Sequence, residues 1–285
     1  MESPANFLGY ASGEVEPDSA RAVLLPVPYD GTASYRKGAR LGPAAIIEAS
    51  RQLEDFDLEL GCDPSELGIY TAAPIDPGEA GPEALVDEVQ RAVSARARPG
   101  VLVGVLGGEH TVAIGAARAM SSRFEGLSVL FLDAHADMRD EYQGNRYSHA
   151  CTARRIAEIC DLVQVGVRSA EREEWDRMRS HEVPVVTWPP QEEMDVTEKV
   201  LSHLGEAVYV SIDLDVLDTS VMSAVGTPEP GGMHWHELLS LLRAVAKERR
   251  IVGFDVSELA PGEGPEACSY TAAKLVYKLI GYALV

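Results

Sequence analysis

Short apolar runs alternate with longer amphipathic segments along the whole chain, and that rhythm leaves few architectures open. Residues 23–27, 101–106, 128–132, 162–167, 183–186, 208–212 and 251–256 read as buried strands. Between them, helices are predicted over 43–54, 82–97, 111–122, 151–159, 171–180, 196–204, 236–248 and 266–283. Such an alternation closes into an α/β fold with a mostly parallel sheet and helices on both faces, where ligands collect at the carboxyl ends of the strands. No low-complexity linker and no repeat with a period of about 20 to 50 residues divides the chain, so one domain over residues 1–285 is predicted. The Pro/Gly-rich pieces at 76–82, 226–232 and 261–265 read as loops.

Two of the apolar runs end in acids. One reads Leu130-Phe-Leu-Asp133-Ala-His135-Ala-Asp137, the other Val210-Ser-Ile-Asp213-Leu-Asp215-Val-Leu-Asp218. Alternate side chains of an extended strand share a face, so this spacing aims Asp133, His135 and Asp137 one way and Asp213 with Asp215 likewise. His110 follows another run through a glycine pair into a helix start, and completes a set of six donors. Four carboxylates in one cleft repel and resist desolvation unless protons or cations offset them. Two divalent cations cancel the four charges, and a binuclear site most often activates water. Oxygen and imidazole donors without thiolate suit manganese better than copper or an iron–sulfur cluster, with zinc and nickel also compatible. Asp218 reads as a turn cap. His234 and His236 are not read as a second metal pair, because this spacing at a helix entrance puts the rings on different faces.

Net charge is −20, from 45 acidic and 25 basic residues, which argues against nucleic acid or an anionic membrane as partner and favours a cationic substrate. Many acids, as at 171–174, nevertheless fall in helical stretches where a solvated face is the ordinary explanation. The longest apolar runs are about a third of the length needed to cross a bilayer. The opening Met1-Glu-Ser-Pro-Ala-Asn6 lacks the basic start and apolar block of a secretory signal, so a cytoplasmic location is expected. Four cysteines without Cys-x-x-Cys spacing are expected as reduced thiols, with Cys151 a small buried residue near His149.

Taken in order, Gly107-Gly-Glu-His110, Asp133-Ala-His135-Ala-Asp137, Ser211-Ile-Asp213-Leu-Asp215 and Gly226-Thr-Pro-Glu-Pro-Gly-Gly232 resemble the ureohydrolases, the arginase and agmatinase family. The resemblance covers nearly the whole chain. Tyr29-Asp-Gly-Thr32, Gly38-Ala-Arg-Leu-Gly-Pro43 and Gly253-Phe-Asp-Val-Ser-Glu258-Leu-Ala-Pro261 look like the agmatinase branch. It implies a three-layer α/β/α sandwich and two manganese ions per chain bridged by hydroxide. His110 and Asp137 would hold one ion, His135 and Asp215 the other, with Asp133 and Asp213 bridging. The implied reaction is hydroxide attack on the guanidinium of agmatine, giving urea and putrescine in polyamine biosynthesis. A homo-oligomer, trimer or hexamer, is implied as well.

His149, in Tyr147-Ser-His149-Ala150, matches the family's proton shuttle, although most relatives carry glycine where Ala150 stands. Glu258 matches the acid that grips the guanidinium, whose fork a carboxylate can accept through two parallel hydrogen bonds. Asp255, three residues earlier, points to the opposite strand face and reads as structural. Thr227 is a second guanidinium contact ranked below Glu258. Residues 138–148 form a charged loop without the Asn/Thr/Ser-rich composition by which arginases hold the arginine carboxylate, which disfavours arginine. Asp140 and Glu141 are candidates for meeting a terminal ammonium. Aminopropylagmatine and guanidinobutyrate stand as alternative substrates, and a catalytically silent homologue as an alternative role. A phosphoesterase would add a Gly-Asn-His-Asp/Glu element that this sequence lacks, and a single-metal deacylase would not need all six donors.

Overall fold

A computed structural model describes residues 6–10, 14–75, 78, 80–180, 183–190 and 195–285. The elements run β1 (Ala22–Val27), α1 (Gly42–Ser50), β2 (Ile69–Thr71), α2 (Pro82–Arg96), β3 (Leu102–Gly107), α3 (Val112–Ser121), β4 (Ser128–Leu132) and α4 (Thr152–Ala157). They continue as β5 (Asp161–Val167), α5 (Arg172–Ser180), β6 (Val185–Thr187), α6 (Val196–His203), β7 (Ala207–Asp213), α7 (Trp235–Glu248), β8 (Arg250–Ser257) and α8 (Ala267–Leu284).

All eight strands are parallel, in the order β2-β1-β3-β8-β7-β4-β5-β6. A parallel sheet needs cover on both faces, which is why β1, β3, β4 and β7 are buried at every position. One face packs on α1, α6, α7 and α8 through residues such as Ile46, Val200, Leu242 and Leu275. The other packs on α2 to α5 through Val89, Ala116, Ile156 and Met178. The three-layer expectation therefore holds, and residues 226–232 and 261–265 fall outside the named helices and strands as expected. The predicted loop at 76–82 lies partly outside the described residues, and Pro82 begins α2.

Strand β2 was not anticipated: three residues after Gly68 are too short for an apolar run to register. Helix α1 ends at Ser50, short of the predicted 54. There the Ser50 hydroxyl donates to Ile47 O (2.6 Å) and accepts the Leu8 N–H (2.8 Å). Among the described residues no helix is long and apolar enough to cross a membrane.

The chain leaves β3 and resumes pairing three places away at β4, with β8 and β7 inserted between them. That break in strand order opens a crevice at the carboxyl ends of the four central strands. Far from it, buried Lys278 of α8 ties down the excursion after α1, with Nζ 2.7 Å from Asp57 Oδ1 and 2.7 Å from Glu59 Oε2.

Candidate metal centre

Each of the four central strands delivers part of the crevice floor. Strand β3 leaves the sheet through Gly107 and Gly108. The Gly108 N–H donates to Val27 O (2.8 Å) and the Glu109 N–H to Tyr29 O (2.7 Å). The approach is so close that a Cβ on Gly108 would stand 2.0 Å from Tyr29 O. Only glycine tolerates it, and the turn sets buried His110 over the sheet edge, stacked on Phe131 at 4.5 Å between ring centroids.

The acids converge, but not by strand alternation. Strand β4 ends at Leu132, so Asp133 to Asp137 lie past it, tied to the segment after β5 by an isolated parallel bridge between His135 and Ser169, and Asp215 sits in a 3-10 turn after β7. What aims them is a pair of local turns. Asp133 Oδ1 accepts the His135 N–H at 2.5 Å and Asp213 Oδ1 accepts the Asp215 N–H at 2.8 Å, bending the backbone so that i and i+2 face one cavity. Asp137 has φ of 50°, a left-handed conformation that residues other than glycine adopt at a cost.

Two donor groups result, His110 with Asp133 and Asp213, and Asp133 with His135 and Asp215, the donor atoms of each lying within 4.8 Å of one another. His110 Nδ1 is 3.0 Å from Asp133 Oδ2, 3.6 Å from Asp213 Oδ2 and 3.8 Å from Asp137 Oδ2. His135 Nδ1 is 2.9 Å from Asp215 Oδ2, yet that buried oxygen has no aligned hydrogen-bond donor. Burial first, then the Asp133 charge, raises the Asp137 carboxyl well above the usual range, and burial with Asp215 does the same to Asp213. Burial acts to lower His135, but the carboxylates of Asp215 and Asp133 push it up to about 12. Lone pairs turned toward one another and an orphaned carboxylate oxygen fit a pair of divalent cations, and the six donors anticipated from sequence are brought together.

Glu258 follows β8 with φ of 69°, pinned twice to the β3 exit: its N–H donates to Gly108 O (2.7 Å) and Oε1 accepts the His110 N–H (2.7 Å). Burial, then the Glu109 charge, raises it to about 8. Asp255 is buried and structural as expected, with a connection that its strand position did not disclose. His110 Nε2 lies 2.8 Å from Ser211 Oγ, whose hydroxyl donates to Asp255 Oδ1 (3.1 Å). A carboxylate behind a histidine in this way fixes the ring and its tautomer. Asp218 caps a turn, accepting from Ser220 and Gly231 N–H groups. His234 caps α7, with Glu237 bound to its N–H, and forms no donor pair with His236.

Above the floor is a cleft of about 320 Å³, lined in part by His149, Ala150, Thr227, Glu258, Glu171 and Glu174. His149 has Thr32 Oγ1 3.0 Å from Nδ1 and Ser34 Oγ 3.4 Å from Nε2. Burial, then His135, lowers it to about 4. Asp140 and Glu141, the candidates for meeting a terminal ammonium, are not among the residues that line the cleft. The Asp140 carboxylate is taken by Arg155 (2.7 Å), Arg146 (3.3 Å) and Arg154 (3.4 Å). Glu171 and Glu174 are the acids beyond the donor nest and Glu258 that line the cleft. Arg139 bridges toward both, Nη2 to Glu171 Oε1 at 2.7 Å and Nε to Glu174 Oε2 at 3.8 Å, and lies over the Tyr142 ring. Glu174 is buried and accepts the Met138 and Glu171 N–H groups, whereas the Glu171 side chain is exposed apart from its contact with Arg139. Sequence read 171–174 as a solvated face; its following a strand end was the available signal.

Residues 20–281 match the Arginase family. The chain is 42% identical to an N(1)-aminopropylagmatine ureohydrolase of Thermus thermophilus, over 93% of this chain and 90% of that one. It is 38% identical to the N(1)-aminopropylagmatine ureohydrolase of Synechocystis sp., covering 99% and 97% of the two chains. The crystal structure of the agmatine ureohydrolase of Thermoplasma volcanium superposes with a TM-score of 0.89 at 29% identity, covering 99% of this chain and 95% of that one.

Proposed function

Because the chain belongs to the arginase family and is a ureohydrolase, we propose that it cleaves the guanidinium of a short cationic polyamine, N(1)-aminopropylagmatine ahead of agmatine, to urea and the corresponding amine. Agmatine came first in the sequence reading. The aminopropylated compound moves ahead because both relatives above carry it in their names. The reading includes two manganese ions per chain and a homo-oligomer working in the cytoplasm. The observation that carries it is the nest of four carboxylates and two imidazoles opening onto a cleft lined by Glu258 and Glu171.

In this reading His110, Asp133, His135, Asp137, Asp213 and Asp215 would hold the two ions between them. Bound there, the two ions supply a water ionised near neutral pH, with charges that sum to zero against the four carboxylates. The chain's own residues do the rest. Glu258, kept dry and raised toward neutrality, regains its charge when a guanidinium arrives and accepts two parallel N–H groups from it. Thr227 flanks the same fork. That grip holds the carbon over the donor nest, so that orientation lowers the barrier to forming the C–O bond. As the C–N bond breaks, His149 delivers a proton to the departing nitrogen and an amine leaves beside urea. Glu171 meets the distal ammonium, exchanging its contact with Arg139 for one with substrate.

Urea release with manganese present, measured on aminopropylagmatine, agmatine, guanidinobutyrate and arginine, tests this. The expected order of kcat/KM places the two cationic amines first, aminopropylagmatine leading. Release from none of the four would remove the reading, and a preference for guanidinobutyrate would remove the role of Glu171.

A further inference from the structure

Among the polar groups that the reaction above does not use, one connected set stands directly behind His149. Glu109 is fully buried beside the donor nest, yet its carboxylate turns away from it and onto Thr32. The Thr32 N–H donates to Oε2 (2.7 Å), the Thr32 hydroxyl lies 2.7 Å from Oε1, and the Thr111 hydroxyl lies 3.0 Å from Oε1. The same Thr32 oxygen accepts the His149 backbone N–H (3.0 Å) and stands 3.0 Å from His149 Nδ1.

A hydroxyl has one proton and two lone pairs. The proton of Thr32 goes to the carboxylate, which accepts and which the Thr32 N–H already orients. One lone pair is taken by the His149 N–H. The remaining lone pair faces Nδ1, so Nδ1 must be the donor there. Ser148 Oγ is 3.4 Å from Nδ1, too long to compete with Thr32 Oγ1 at 3.0 Å. Nε2 is left with an open lone pair, met only by Ser34 Oγ at 3.4 Å, in the cleft that Ser34 and His149 both line.

We propose that Thr32, oriented by Glu109, is a positioning residue that fixes the tautomer of His149: Nδ1 keeps a permanent proton and Nε2 takes up and releases the mobile one. The proposal rests on the shuttle reading of His149 for its catalytic consequence. A ring of the opposite tautomer would turn a proton toward the cleft where an acceptor is needed, so turnover scales with the fraction in the right form.

The test uses full-length protein labelled with 15N-histidine and loaded with diamagnetic zinc. Its neutral His149 is expected to give the Nδ1–H pattern of ring-nitrogen shifts. Thr32→Val, which keeps the shape and removes the hydroxyl, is expected to move that pattern toward the Nε2–H form. In manganese-loaded enzyme it is expected to lower kcat about tenfold, the worth of one hydrogen bond, with KM changed less than about twofold. Thr32→Ser should recover most of the loss, and Thr32→Ala gives the same comparison if valine is not accommodated. An Nδ1–H signal retained without the hydroxyl, or a changed tautomer with undiminished kcat, overturns the proposal. His149→Asn separates the two claims: wild-type turnover there removes the shuttle, while the ring-nitrogen shifts still decide whether Thr32 sets the tautomer.

Discussion

Replacing Gly108 by alanine should injure stability and the donor nest together, because one backbone turn serves both. The added Cβ would lie 2.0 Å from Tyr29 O and 2.8 Å from Tyr29 C and N, all backbone atoms that cannot swing aside like a side chain. Relief requires β3 and the β1 exit to separate, which strains three hydrogen bonds of 2.7–2.8 Å: Gly108 N to Val27 O, Glu109 N to Tyr29 O, and Glu258 N to Gly108 O. Overpacking of this kind costs about 1–3 kcal/mol, and the well-ordered backbone on both sides puts the change at the upper end. For a domain of this size that is a fall in melting temperature of roughly 4–10 °C. The same separation carries off His110 and Glu258, so metal affinity should fall about 10–100-fold, as when a ligand's support is lost. Differential scanning calorimetry of protein without added metal and titration with manganese measure the two effects apart. Gly262→Ala is the control, since a Cβ there meets nothing within 4 Å and needs no left-handed backbone. A Gly108→Ala protein with the melting temperature and manganese affinity of the parent would refute the claim that close approach at this turn builds the site.

Glu258→Gln, nearly isosteric, should lower kcat/KM about 100-fold through loss of a charge-assisted pair, with two equivalents of metal still found by elemental analysis. Glu171→Gln should raise KM for agmatine while leaving a singly charged alkylguanidine unaffected; equal effects on both compounds would show that Glu171 does not read the distal ammonium. Lys278→Met leaves buried Asp57 with its Glu59 and Leu60 N–H donors and with Lys274 at 3.8 Å as the remaining cation, and should cost about 3 kcal/mol in a urea melt. The pH dependence of stability carries a sign. His149 is lowered to about 4 in the fold against about 6.5 when unfolded, so the unfolded chain binds more protons between those values. Stability is then complete above about 6.5 and declines as pH falls toward about 4, and His149→Asn should flatten that part of the profile in metal-free protein.

The six donors were legible because Asp-x-His-x-Asp and Asp-x-Asp at the ends of apolar runs have little other use in a core. The means by which they converge was not. Spacing suggested alternation along a strand, whereas the strands stop at the first aspartate and hydrogen bonds from i to i+2 do the turning. Neighbourhoods made by the sheet were beyond reach for a different reason. Thr32 and Glu109 are 77 residues apart, and only the pairing of β1 with β3 makes them adjacent. Asp255 stands behind His110 because β8 pairs with β7, which puts Ser211 beside it. Loop 138–148 offered Asp140 and Glu141 as the acids to watch, but three arginines hold Asp140, and the loop lines the cleft through Arg139 and Tyr142, with Glu171 after β5 as a further lining acid.

The hydrogen bonds of the buried acids separate those that would bind cations from those that support them. Asp133, Asp213 and Asp215 each commit one oxygen to a backbone N–H, of His135, Asp215 and Ala134 respectively, and turn the other toward the cavity. One oxygen is thus spent on orientation and one is kept for a charge. Glu109, Asp255 and Glu174 instead accept from hydroxyls or two backbone N–H groups, and these partners hold them facing away from the nest. Among these, Asp215 is left with Oδ2 buried and without an aligned donor, so its desolvation is offset only when a cation arrives, while the second oxygen of Asp133 meets His110 Nδ1 at 3.0 Å. Glu109 and Glu174 are held on both oxygens without a cation, whereas Asp255 is held through Oδ1 alone and keeps Oδ2 buried without a partner. Metal removal should therefore loosen the turns at 133–137 and 213–215 while Glu109, Asp255 and Glu174 keep their partners. Amide hydrogen exchange, compared with and without manganese, reads this directly: protection lost equally at Thr32 and at Asp215 would contradict the division.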